Sequence, residues 1–123
     1  MYDAMIKSIN ASELPEEDVL IKNLRSKLPK VYNGKNAAEF ADAFREVLKI
    51  GIAMDYKTMM LYLPSRPQLS QNLVAHFQNI NKAIATRSGN KDWFHDLFAL
   101  FIALPGILSL SWDEIEKHVV SLN

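Results

Sequence analysis

The stretch WFHDLFALFIALPGILSLSW, Trp93 to Trp112, constrains the fold more than any other part of the chain. From Leu97 onward its apolar run is interrupted only by Pro105, Gly106, Ser109 and Ser111. A membrane span needs about 20 predominantly apolar residues, so this run is too short and too broken to be one. It reads instead as a buried helix. Trp93, Phe94, Leu97, Phe98, Leu100, Phe101, Ile102 and Leu104 point almost all round the helical circle. That pattern predicts a central hydrophobic helix over about 91–104, capped by Asn90, with other helices packed around it.

Those other helices carry their own punctuation. Tyr2, Met5, Ile6 and Ile9 recur at helical spacing and give a short first helix. In the second, Glu16, Glu17 and Asp18 meet the positive helix end, Leu20, Leu24 and Leu28 form a stripe, and Pro29 is the expected stop. Asn36 with Glu39 has capping-box spacing for a third helix that places Phe40, Phe44, Val47 and Leu48 inward until Gly51. Tyr56, Met59, Met60 and Leu63 suggest a short fourth helix between Asp55 as cap and Pro64 as its end. Ser65 with Gln68 then opens a long helix through Leu69, Leu73, Phe77, Ile80 and Ile84, closing at Ser88 and Gly89. Ser111 with Glu114 opens the last one. No strand pattern competes with these signals. The expected architecture is a compact single-domain all-α bundle of six to seven helices spanning 1–123.

Composition narrows the functional classes. The 123 residues include 14 basic and 14 acidic side chains, so the chain has no net charge, and no cysteine. Disulfide frameworks, thiol nucleophiles and cysteine-bearing zinc sites are thereby excluded. The N-terminal MYDAMIKSIN lacks the long apolar core of a secretory signal, and the expected location is cytoplasmic. Five basic residues and no acid lie between Lys22 and Lys35, and another five between Tyr56 and Lys91. With Gln71, Asn72, Gln78, Asn79 and Lys82 on the long helix, these are the candidate contacts for a nucleic acid. The neutral whole argues against strong phosphate binding, and Arg25, Lys27 and Arg87 fit last helical turns.

Two carboxylate sets could carry chemistry. Asp92, His95 and Asp96 share a side of the central helix that continues through the small residues Ala99 and Ala103. Glu39, Asp42 and Glu46 share a side of the third helix opposite its phenylalanines. Convergence of the two sets would hold magnesium for hydrolysis of a nucleotide pyrophosphate linkage. First-turn acids also complement a helix dipole, and Arg45 and Lys49 stand at pairing distance from the second set, so a solvated, salt-bridged face accounts for the same residues. His76, next to Phe77, reads as a boundary residue. No serine elbow or phosphate loop accompanies any of the three histidines.

The segments FHDLFALFIAL and LSWDEIEKHV resemble the closing helices of the all-α nucleotide pyrophosphohydrolases of the MazG and dimeric dUTPase type. That resemblance covers less than a quarter of the chain and implies a magnesium-dependent hydrolase. The family pairs Glu-x-x-Glu with Glu-x-x-Asp, whereas the nearest matches here are Glu39 with Asp42 and Asp92 with His95.

The remaining signal is surface chemistry. GIAMDYKTMMLYLPSRP, Gly51 to Pro67, gathers three methionines and two tyrosines beside a double-proline turn. Adaptable methionine, amphipathic tyrosine and arginine are the residues that binding patches favour. Tyr56, Met59, Tyr62 and Arg66 are therefore the expected protein-binding residues, for another protein or a second copy of the chain. This reading is non-enzymatic, as an adaptor, inhibitor, immunity-type factor or small subunit. It assigns no catalytic residue, no metal and no cofactor.

Overall fold

A computed structural model describes residues 2–62 and 66–122, and every regular element among them is helical. Seven α-helices follow in order among the described residues: α1 (Asp3–Lys7), α2 (Glu17–Gly34), α3 (Ala37–Ala53), α4 (Lys57–Tyr62), α5 (Leu73–Ala85), α6 (Trp93–Leu108) and α7 (Trp112–Ser121). A single 3-10 turn, Ala11–Glu13, lies between α1 and α2. The all-α expectation holds. The chain divides into two compact units, Met1–Pro64 with Leu110–Asn123, and Ser65–Ser109.

In the first unit α3 is the hub, packing against α2, α4, α7 and the 3-10 turn, while α1 packs on α7. Its inward stripe is the one the sequence specifies: Phe40, Phe44, Val47 and Leu48 are fully buried. Asn36 caps α3, its Oδ1 accepting the Glu39 N–H at 2.9 Å. Leu20, Leu24 and Leu28 of α2 are buried as a matching stripe, each contributing roughly 1.5–3 kcal/mol by leaving water. At one end of the core, the rings of Tyr2, Phe40 and Phe44 meet Trp112 edge-on at centroid separations of 5.6, 6.1 and 5.6 Å, a geometry that suits aromatic quadrupoles.

Both interior prolines defy the expected stops. Helix α2 runs through Pro29 to Gly34, and α6 runs through Pro105 and Gly106 to Leu108. A mid-helix proline removes an N–H and crowds the carbonyl four residues back, which costs about 3 kcal/mol. Burial of Val31 beyond Pro29, with α2 packed along α3, offsets that cost. Pro105 is itself buried with Leu104 before it. Helix α3 likewise passes through Gly51 to Ala53. Among the described residues, three turns are closed by residues other than glycine in left-handed backbone: Lys35 at φ 50, Asp55 at φ 64 and Ser109 at φ 57.

In the second unit α5 packs on α6. Every residue from Trp93 to Pro105 is buried except His95 and Asp96, in keeping with the all-round apolar pattern. Asn90 is not the cap of this helix. Its Oδ1 accepts the Asp92 N–H at 3.0 Å, closing a turn ahead of the helix, and Asp92 occupies the cap position without a side-chain hydrogen bond. The long fifth helix is also shorter than expected, because Asn72 rather than Ser65 caps it: Asn72 Oδ1 accepts the Ala75 N–H at 2.8 Å. Residues 66–70 carry no regular structure, and Leu69 is 72% exposed instead of continuing the stripe. Leu63, Pro64 and Ser65, on which three of the expectations rest, lie outside the described residues. The 66–70 segment lies against α6, the Gln68 N–H donating to the Ala99 carbonyl at 3.1 Å.

Candidate functional site

The fourth helix is set by a tight turn. Asp55 adopts left-handed backbone, and the Tyr56 N–H donates to the Gly51 carbonyl at 2.7 Å, folding the chain back onto the end of α3. Tyr56, not Asp55, immediately precedes α4. Met60 is buried as core filler, whereas Tyr56 and Met59 are half-buried and Tyr62 is 73% exposed. Lys57, Thr58, Leu61 and Tyr62 stand at helical spacing and, with Asp3 and Lys7 of α1, line an open groove of about 560 Å3. Of the four expected binding residues, only Tyr62 lines it. Met59 does not face this groove, and Arg66 is exposed in the second unit.

Charge around the groove is unevenly satisfied. Lys7 pairs with Asp3 at 3.0 Å along α1. The Asp3 hydrogen bond is the main reason the Lys7 ammonium titrates above its ordinary value, with a smaller contribution from the Tyr62 phenol nearby. Lys57 is exposed and makes no ion pair among the described residues. Asp3, Lys7, Lys57 and Thr58 were not singled out by the sequence reading. Their signal was the i, i+4 pair on α1 and the i, i+3, i+4 pattern on α4, visible only once the two short helices are placed side by side.

The carboxylates of α3 form a different arrangement from the solvated face expected of them. Glu46 is only 3% exposed. Its Oε1 accepts from Lys27 Nζ at 3.0 Å and from Lys49 Nζ at 3.4 Å, while Lys27 also reaches Asp42 Oδ1 at 3.1 Å. Lys27 thus lies in mid-helix, bridging α2 to α3, and not in a last turn where it would answer a dipole. Burial lowers its ammonium pKa, but the hydrogen bonds and charges of Glu46 and Asp42 more than offset this and hold it above 10.5. Glu46 Oε2 is buried without a hydrogen-bond partner. Glu39 uses its N–H in the cap described above.

The Asp92, His95, Asp96 set does not act together either. Asp92 takes the cap position, its carbonyl accepting the Asp96 N–H at 3.0 Å, and the side chains of Asp92 and His95 are exposed to solvent. Asp96 is half-buried, its Oδ2 accepting from Asn90 Nδ2 at 3.3 Å. No group of three histidine, aspartate or glutamate side chains suited to a metal ion occurs among the described residues.

His76 is not a boundary residue. It is fully buried, and its Nε2 lies 2.8 Å from the Leu100 carbonyl, which can only accept. The proton therefore sits on Nε2, and Nδ1 is buried without a partner. No single helix among the described residues is long and apolar enough to cross a membrane. No protein-family model, no curated protein and no solved structure matches the chain.

Proposed function

We propose that this protein is a non-enzymatic protein-binding module that engages its partner through the groove between α1 and α4. The observation that carries the reading is Tyr62, 73% exposed at the rim of a concave surface beside half-buried Leu61. An aromatic ring held on a short helix brings large contact area at little entropic cost, and such rings dominate binding energy when a partner desolvates them. Lys57, which makes no ion pair among the described residues, gives the groove a positive bias, Lys7 being offset by Asp3. The partner that fits is a protein presenting an apolar side chain flanked by acidic residues. Such complementarity acts mainly on association rate and specificity.

The test places p-benzoylphenylalanine at Tyr62 and, as a control, at the exposed Val19 of α2, in the protein's native host. Position 62 is expected to yield a discrete cross-linked species that Lys57→Glu removes, with none at position 19. Equal yields at both positions, or a yield indifferent to Lys57→Glu, would remove the groove from the interface. A cross-linked species of twice the chain mass would identify the partner as a second copy.

A further inference from the structure

A second concavity lies wholly within the Ser65–Ser109 unit. On α5, Asn79, Lys82, Ala83 and Thr86 follow one another at i, i+3, i+4 and i+7 and form one wall of a groove of about 340 Å3. Asp96 and Leu100, one turn apart on α6, form the other wall. Gln68 closes one end, pinned by its N–H to the Ala99 carbonyl at 3.1 Å, and Asn90 lines the rim beside Asp96. The volume falls in the range of small-molecule sites, roughly 300–1,000 Å3.

Lys82 and Asp96 line the same concavity yet make no ion pair with each other or with any described residue. Asp96 is anchored through Oδ2 by Asn90, which leaves Oδ1 without a protein partner. Asn90 is itself oriented by the Asp92 N–H on its Oδ1 at 3.0 Å. Asn79 Nδ2 donates to Ser70 Oγ at 3.0 Å. Thr86 Oγ1 donates to the Lys82 carbonyl at 2.8 Å and keeps its acceptor capacity. The floor is apolar, from Ala83 and Leu100. Helix electrostatics account singly for Asp96 in the first turn of α6 and for Lys82 in the last turn of α5, but not for their meeting in one groove with three carboxamides.

We infer that this groove binds a free α-amino acid as its zwitterion, the carboxylate on Lys82 and the ammonium on Asp96. A ligand carrying both charges satisfies both walls at once, whereas a singly charged ligand leaves one wall with only water. The carboxamides of Gln68, Asn79 and Asn90 supply donors and acceptors for a polar side chain. Partly exposed ion pairs are individually weak, so the expected affinity is modest, a Kd of about 1 mM.

The experiment is an amide NMR titration of the full chain with L-glutamine, acetate and ethylammonium. Glutamine is expected to produce saturable shifts at Asn79, Lys82, Thr86, Asn90 and Asp96. Acetate and ethylammonium at equal concentration should not. Lys82→Met and Asp96→Asn, at positions outside the core, should each weaken glutamine binding about threefold to fivefold while leaving the remaining spectrum in place. Saturation by acetate alone or by ethylammonium alone would overturn the zwitterion assignment. Absence of saturable shifts at about 10 mM glutamine, ten times the expected Kd, would overturn the site, as would undiminished binding in both variants.

Discussion

Replacing Lys27 with methionine tests the claim that a lysine bridge holds α2 to α3. The variant keeps most of the aliphatic stem and removes only the ammonium, which touches Asp42 at 3.1 Å and Glu46 at 3.0 Å. Asp42 is about a third exposed, so losing that contact costs about 0.5 kcal/mol. Glu46 is different, with a side chain only 5% exposed. Stranding a buried charge costs about 3–5 kcal/mol, reduced here to about 2 because Lys49 stays at 3.4 Å. The total is about 2.5 kcal/mol, which for a chain of this length lowers Tm by about 10 °C. Urea unfolding followed by circular dichroism gives the free energy, and calorimetry gives Tm.

The decisive comparison is the double variant Lys27→Met with Glu46→Leu. With both charges gone from the interior, the desolvation cost of the ion pair disappears with its attraction, and stability should return to within about 1 kcal/mol of the parent. The two single effects should therefore exceed the double by about 2 kcal/mol. A Lys27→Met variant within about 0.5 kcal/mol of the parent, or a double as unstable as the sum of its parts, would refute the bridge as a structural element.

Pro29 is exposed within α2, and Pro29→Ala should restore a donor for the Arg25 carbonyl and raise unfolding free energy by up to about 3 kcal/mol, read from the same urea curves. Alkaline titration offers an independent check. Burial raises the Tyr2 phenol above 10.0, and Lys27 lies above 10.5 because Glu46 and Asp42 outweigh its burial. Both groups hold their proton more tightly folded than unfolded, so their stabilisation is complete below the unfolded values and declines as pH rises through the folded ones. The urea midpoint should fall above about pH 10, and less steeply in Lys27→Met.

The apolar periodicity of Phe40, Phe44 and Leu48, and of Leu20, Leu24 and Leu28, was enough to place α2 and α3, because burial and helical repeat act through the same side chains. Helix ends were less legible. Pro29 and Pro105 look like stops when local propensity is the only consideration, yet packing of the residues beyond them outweighs the lost hydrogen bond. Asn72 and Ser65 both have the chemistry of a cap, and nothing in a linear pattern shows that residues 66–70 stay out of the helix while the Gln68 N–H reaches the Ala99 carbonyl. Site residues were harder still. Tyr62 could be singled out as an aromatic without a core stripe to join, but Met59 and Tyr62 share a helix without sharing the groove. The partners of Glu46 come from two helices, and only Lys49 is near it in the chain.

The three left-handed positions, Lys35, Asp55 and Ser109, carry a practical consequence. None of the glycines described occupies positive φ, and Gly106 has open space where a Cβ would stand. Gly106 therefore sits where alanine would serve, and side-chain-bearing residues sit where glycine would relax the backbone. Thermal tolerance could accordingly be tuned at the rims of the helices, leaving the interior and both grooves untouched.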